Sequence, residues 1–576
     1  MIGYNPVSDA APGRGADSNL IQESSLTFII KCLDCGHNAP YFPTSIVCPK
    51  CGSQWREAEY DYELLGRDLP ERVKNRQYDL WRYRELLPVR NPNINLSLGE
   101  GYTPLIRAGN LGMMLGCPNI FIKDERQGPT ASFKDRQASV TIAALKEAGI
   151  TEMVAASTGN VAISYSAYAA RAGVKLWAFV TSLVPGVKMR EIALYGSQVI
   201  KITGSYDQCK QVAAEFARQR KLYLDMGART ITSIEAMKTI AYEISDQLTA
   251  ALGPGENSPL RAPDWYVQAI SGGMGPLGVH KGFREMQQMG WVDKIPAFGP
   301  IQAEGCAPMV DSWKKGLDKA EPVISPKTRI ETLATGDPGR AYDFLRGHVD
   351  STGGAFESVT DEEAFRAMHV LAKMEGISAE PAAGAAFAGL FKLIRAGVIK
   401  QSDTVVVNCT GHTMPAEQGI LGENWARDVK FPSLSQAPQE EGLLSALTQV
   451  APERFPKIAI VEDTLEARRL IRRILQSQGN FTILEAEDGR AGLDLIQREL
   501  PDLVVLDLMM PEMDGFSVIE ALRAKQETAT IPIIVATAKE LTPDEKNRLS
   551  GHIQALLQKG DFLNDEFLDE VRSLLK

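Results

Sequence analysis

The stretch Glu152–Ser164, "EMVAASTGNVAIS", begins as an apolar run, passes through Ser157-Thr158-Gly159-Asn160 and ends in a helical pattern. An apolar strand entering a helix through a small-residue turn is the repeating unit of parallel α/β sheets. The same rhythm extends outward from it. "NIFIKDE" (119–125), "KLWAFV" (175–180), "SQVIKIT" (197–203), "DWYVQAI" (264–270), "AFGPIQAEG" (297–305) and "DTVVVNCTG" (403–411) read as short buried strands. Helical patterns such as "ASVTIAALKEAG" and "YDQCKQVAAEFARQRK" lie between several of them. The alternation predicts an α/β fold with parallel sheets covered on both faces and ligands at the carboxyl ends of the strands.

Bulk properties narrow the function classes. A chain of 576 residues is too long for one hydrophobic core, so several domains are expected. The formal charge of -10 and the lack of a long basic run argue against a nucleic-acid partner. The most apolar segment, "PAAGAAFAGLFKLIRAGVI", is cut by Lys392 and Arg395, so no membrane span is expected. Residues 1–24 lack a basic start followed by an apolar core, which leaves the cytoplasm as the expected compartment.

Four of the eight cysteines are paired in sequence. Cys32, Cys35, Cys48 and Cys51 form two C-x2-C units within "FIIKCLDCGHNAPYFPTSIVCPKCGSQWREA" (28–58), and Gly36 and Gly52 each follow a pair. Four thiolates on two tight turns suit tetrahedral Zn2+, whose binding folds a unit too small to hold a core alone. A metal-free knuckle or two redox pairs are the alternatives. Cys117, Cys209, Cys306 and Cys409 are scattered singly.

Five separated stretches carry the chemistry of the middle region: "SLGEGYTPL" (97–105), "DERQGPTASFKDR" (124–136), "ASTGNVAIS" (156–164), "ISGGMGPLG" (270–278) and "NCTGH" (408–412). A glycine-rich turn opening a helix presents unpaired backbone N–H groups to a phosphate, and Gly272, Gly273, Met274 and Gly275 fit that role. Ser157 and Thr158 are candidate donors to a substrate carboxylate, and Asn160 to a phenolic oxygen.

Taken together, "EGYTPL", "PTASFKDR", "STGN" and "TGH" resemble the fold-type II pyridoxal-phosphate enzymes, and within them the threonine synthases. The resemblance covers roughly residues 30 to 425 and includes an N-terminal zinc ribbon. It implies that Lys134 carries pyridoxal 5'-phosphate and then works as a base, that Asn160 meets the pyridine 3-oxygen, that Gly272–Gly275 hold the phosphate and that Thr410 faces the ring nitrogen. It also implies conversion of O-phosphohomoserine and water to threonine and phosphate, and a homodimer.

Departures fall at Val161, Gly273, Pro276 and Ala382, where the family commonly places hydroxyl or amide residues. Loss of those donors keeps a related β-replacement enzyme open, such as cysteate synthase acting on O-phosphoserine and sulfite. Lys188, Lys238 and His412 are further candidates for substrate contact or for structural roles. A non-catalytic ligand-sensing module is the other class of reading, and the intact Lys134, Asn160 and Thr410 favour the enzyme.

The last 120 or so residues carry a second site. "KIAIVEDT" (457–464), "DLVVLDLMMPEMDG" (502–515), "IPIIVATAKE" (531–540) and "IQALLQKG" (553–560) place Glu462, Asp463, Asp507, Thr537 and Lys559 at strand ends. The three acids call for a hard cation such as Mg2+. This constellation resembles the response-regulator receiver domain, which implies that Asp507 is phosphorylated by a histidine kinase while Thr537 and Lys559 contact the phosphoryl group. Leu556 and Gly560 replace the usual aromatic and proline, so a muted conformational readout is expected.

The organisation expected is a disordered tail (1–27), a zinc ribbon (28–58), a two-subdomain fold-type II catalytic domain (59–425), a Pro- and Gln-containing linker (426–455) and a flavodoxin-like receiver domain (456–576).

Overall fold

In the computed structural model of the protein, the described residues are 28–182, 184–412, 427–430, 447, 455–478, 481–537, 541–558, 571 and 573–575. The expected tail, most of the expected linker, Lys559 and Gly560 lie outside them. The chain divides into two compact units, residues 1–176 with 205–415 and residues 177–204 with 416–576.

In the first unit, β1 (Ile29–Cys32) pairs antiparallel with β2 (Asn38–Ala39) and β3 (Arg56–Glu59). A three-stranded sheet this small buries little, and its order rests on the two cysteine turns and on docking. Ala58 of β3 donates its backbone N–H to Glu235 Oε1 at 3.1 Å, and its carbonyl accepts from Lys281 Nζ. Glu235 and Glu285 are fully buried, and they are neutralised by Lys238 and Lys281 at 2.6 to 3.2 Å. Buried carboxylates this deep persist only when paired in this way.

The main sheet has the order β12-β11-β10-β13-β5-β4. It comprises β4 (Leu105–Arg107), β5 (Ile120–Asp124), β10 (Trp265–Ala269), β11 (Ala297–Ala303), β12 (Glu357–Val359) and β13 (Val405–Cys409). All its pairings are parallel except that of the edge strand β4. The three central strands are buried throughout, as their near-continuous apolar sequences require of strands covered on both faces. Helix Pro381–Arg395 crosses β10, β11 and β13, and its alanines and glycines permit the close approach.

Beside it, β6 (Glu152–Ser157) pairs in parallel with β9 (Tyr223–Leu224). In the second unit, β7 (Lys175–Thr181) pairs with β8 (Gln198–Thr203), and β8 with β14 (Arg427–Lys430). Four residues expected to belong to a linker therefore form an edge strand. Their alternation is too short to stand out in sequence, and the open edge of β8 supplies the hydrogen bonds that order them.

The remaining sheet is fully parallel, with the order β16-β15-β17-β18-β19. Its strands are β15 (Lys457–Val461), β16 (Thr482–Ala486), β17 (Leu503–Leu506), β18 (Ile533–Thr537) and β19 (Ala555–Gln558). Ile458, Ile460, Leu503 and Val505 face one buried layer while Ala459, Val461, Val504 and Leu506 face the other. This is the doubly wound, flavodoxin-like order, with its switch point between β15 and β17.

Among the described residues no helix is long and apolar enough to cross a membrane.

Candidate active site

Lys134 is the first residue of helix Lys134–Glu147, and the loop before it is pinned by backbone contacts to the end of β13. Phe133 N–H donates to the Thr410 carbonyl at 3.0 Å, His412 N–H donates to the Ala131 carbonyl at 3.0 Å, and Ser132 bridges Gly411. Ala131 accepts a positive φ of 54° to make this turn. The helix is held from behind by its next two residues. Asp135 accepts from Thr130 N–H at 2.9 Å, while Arg136 forks onto Glu125 at 2.7 and 2.9 Å and pairs with Glu243. "FKDR" thus combines one residue that faces a cavity with two that fix its position.

A cavity of about 100 Å³ brings together Lys134, Thr158, Asn160, Val161, Gly272–Pro276, Glu380, Ala382 and Thr410. Lys134, Asn160, Thr410 and the whole glycine turn, predicted to hold one cofactor, therefore share one space. The turn is built as an anion cradle. Gly273 has φ +79°, a Cβ there would meet Leu345 Cδ1 at 2.7 Å, and the space in front of Gly272 is open for 4 Å. Helix Met274–Gln288 begins at this turn with no side-chain cap, so its first N–H groups are available to a phosphate. These residues fit pyridoxal phosphate, with an amine, a phosphate cradle and polar groups for both ends of the ring.

Glu380 is the site residue that sequence reading missed. It accepts from Asn160 Nδ2 at 2.8 Å and from Thr410 Oγ1 at 3.2 Å, so one carboxylate joins both ring-contacting candidates. Its signal in the sequence is an acid ahead of Pro381 at a helix start, where its side chain makes no capping bond. Burial pushes the Lys134 amine down to about 8, against the opposing charges of Glu380 and Asp225.

The candidates for substrate contact fall in different places. Ser157 is fully buried, and its Oγ accepts from the N–H groups of Gly159 and Ala162 at 2.9 and 3.0 Å; it caps the following helix and lines neither cavity. Lys238 is equally buried and neutralises Glu235 and Glu285, with no exposure to a cavity. His412 is not among the residues lining either cavity. Thr158 lines both, and Val161, Gly273, Pro276 and Ala382, the four departures from the family pattern, all line the smaller one.

The motif "EGYTPL" is structural. Glu100 is fully buried and accepts from Trp81 Nε1 at 2.8 Å, Tyr168 Oη at 2.8 Å and Leu98 N–H at 2.8 Å.

A second cavity, of about 700 Å³, shares Lys134, Thr158, Val161, Gly272 and Met274 with the first. Asp34, Gly52, Ser53, Gln54 and Trp55 of the cysteine-bearing sheet line it too. All four cysteine sulfurs lie within 4.8 Å of one another, with Cys32 to Cys51 at 3.5 Å and Cys35 to Cys48 at 3.7 Å. A tetrahedron of Zn–S bonds has edges of about 3.8 Å, so the donor set fits zinc. Burial raises the Cys32 thiol, but the backbone N–H groups of Cys35 and Asp34 outweigh it and bring the thiol down to about 6.

In the second unit Glu462, Asp463 and Asp507 gather their carboxylates within 4.8 Å at the ends of β15 and β17. Thr537 ends β18, and both it and Asp507 are buried. The three acids are a donor set suited to a hard divalent cation. Leu556 is 40% exposed on β19.

Residues 96–411 match the pyridoxal-phosphate dependent enzyme family, and residues 458–571 match the response regulator receiver domain. The chain belongs to the pyridoxal-phosphate dependent enzymes, and it carries a receiver domain in the same polypeptide. Its relatives within that family include threonine synthases. It is 34% identical to the threonine synthase of Methanocaldococcus jannaschii, across 66% of this chain and 91% of that one. It is 33% identical to the threonine synthase of Methanosarcina acetivorans, across 68% of this chain and 93% of that one. Among solved structures, an L-serine ammonia-lyase from Rhizomucor miehei aligns with a TM-score of 0.47 at 23% identity, over 54% of this chain and 94% of that one. The protein is thus a threonine-synthase-like lyase of the pyridoxal-phosphate class.

Proposed function

We propose that the protein converts O-phosphohomoserine and water to threonine and phosphate. The observation that carries this reading is the convergence of Lys134, Asn160, Thr410 and Gly272–Gly275 on one cavity, in a chain whose relatives are threonine synthases. Bound there, pyridoxal phosphate supplies an electron sink for proton removal at the substrate's Cα. Lys134 is the base: burial keeps its amine neutral at lower pH than a surface lysine, so it is ready to accept a proton near neutrality. Thr158 orients the substrate carboxylate. Thr410 offers the ring nitrogen a neutral hydroxyl, while Glu380 fixes the rotamers of Asn160 and Thr410.

Val161, Gly273, Pro276 and Ala382 on the cavity wall favour a second reading, β-replacement on O-phosphoserine with sulfite, because each removes a donor from the space beside the cofactor site. Phosphate release from O-phosphohomoserine and from O-phosphoserine, with the amino-acid products identified, separates the two. Release from neither sinks both.

The cysteine set holds structural zinc. Asp507 takes a phosphoryl group from a histidine kinase, with Mg2+ held by Glu462, Asp463 and Asp507, and this links turnover or assembly of a cytoplasmic homodimer to two-component signalling. A small-molecule phosphodonor that labels Asp507 yet changes neither turnover nor assembly removes the link.

A further inference from the structure

Four cations line the larger cavity, and three are committed elsewhere. Lys134 belongs to the cofactor site, Lys210 pairs with Asp207 at 2.6 Å, and Arg340 forks onto both oxygens of Asp34 at 2.7 Å. Arg229 is the exception. Its Nη1 donates at 2.7 Å to the neutral side-chain oxygen of Gln54, and among the described residues no carboxylate lies within 4 Å of it. Asp225 and Asp337 are the carboxylates whose fields reach it. Arg229 is exposed, and partial desolvation, opposed by the fields of those two carboxylates, lowers its pKa.

A guanidinium on the wall of a ligand cavity, hydrogen-bonded only by an amide, keeps its remaining N–H groups for a planar or tetrahedral anion. Gln54 sits three residues beyond Cys51, beside Trp55, whose ring packs on Phe344 at 5.0 Å. The four-cysteine sheet therefore reaches into the cavity and supplies the partner that aims the guanidinium. We infer that Arg229 binds the phosphate ester of the substrate, and that Gln54 positions it, so the cysteine sheet sets substrate affinity as well as stability. This rests on the phosphoester reading above and names the residue that recognises the phosphate.

Two measurements on the cofactor-loaded full chain test it: the Kd for inorganic phosphate by titration calorimetry, and KM and kcat for O-phosphohomoserine. Arg229→Gln raises both Kd and KM about tenfold or more, with the visible cofactor band intact. Gln54→Ala raises them about threefold, and Gln54→Glu raises them further because its carboxylate neutralises Arg229; a merely structural role would give the opposite order. Arg329→Gln, a surface control whose partner is Glu362, leaves both unchanged. A phosphate Kd unmoved by Arg229→Gln overturns the inference, as does a wild-type protein that binds no phosphate at millimolar concentration. Phosphate binding that depends on Arg229, without turnover of O-phosphohomoserine, upholds the anion site and sinks only the assigned reaction.

Discussion

Glu380 accepts a hydrogen bond from Asn160 at 2.8 Å, which joins the start of one buried helix to the start of another across 220 positions of sequence. The same carboxylate takes Thr410, and its charge opposes the effect of burial on Lys134. One acid therefore joins Asn160 to Thr410 and partly offsets the effect of burial on the lysine.

Removing that charge lowers the Lys134 pKa below its present value of about 8, because an anion nearby favours the ammonium form. In Glu380→Gln the pH profile of kcat/KM shifts to the acid side by about half a unit to one unit, while the protein still binds cofactor. Initial rates followed against pH measure this, and a profile that stays in place contradicts it.

Gly273→Ala strikes the phosphate turn from two directions. A φ of +79° is strained for alanine, and the new methyl would meet Leu345 at 2.7 Å. The expected loss is about 1–3 kcal/mol, visible as a lower unfolding temperature and faster dissociation of pyridoxal phosphate on dialysis.

His280 and His348 stack at 3.5 Å between ring centroids, within 11° of parallel. Burial first, then the charge of Arg284, hold His348 down at about 4, and burial, His348 and Arg284 together hold His280 at about 2. Both folded values lie below the unfolded value of 6.5, so the folded state binds fewer protons. Stability is complete above pH 6.5 and falls as pH drops toward 4; for His348 alone the full loss is about 3 kcal/mol. Denaturant midpoints at pH 7.5 and 5 should separate in the wild type and draw together in His348→Phe, which keeps the stack without the titration.

Zinc removal should loosen the cysteine sheet, whose three short strands bury too little to stand alone. Elemental analysis is expected to give one zinc per chain, and Cys48→Ser to lose it and lower the unfolding temperature. Unchanged unfolding of metal-stripped protein would show that docking through Ala58 and the Asp34–Arg340 pair suffices.

What the sequence disclosed was local. Strands such as Val405–Cys409 and Ile533–Thr537 announce themselves because a strand buried on both faces must be apolar at nearly every position. Lys134 was legible because four short motifs each carry a recognisable part of one site. Glu380, Gln54 and Arg229 were not, because their roles arise from approaches across 175 to 220 positions. Ser157 is ambiguous in sequence for a different reason. A serine beside a glycine turn suits a ligand or a helix start equally well, and the buried N–H groups of Gly159 and Ala162 claimed it.

Lys134 is proposed to serve a pyridoxal-phosphate site that cleaves a phosphorylated amino acid. The most direct measurement is phosphate release from O-phosphohomoserine by the purified protein, followed with its visible spectrum. The wild-type protein is expected to be yellow and to release phosphate with equimolar threonine, and the Lys134→Ala variant to lose both the band and the activity. A colourless wild-type protein, or a yellow one that leaves O-phosphohomoserine intact, would contradict it.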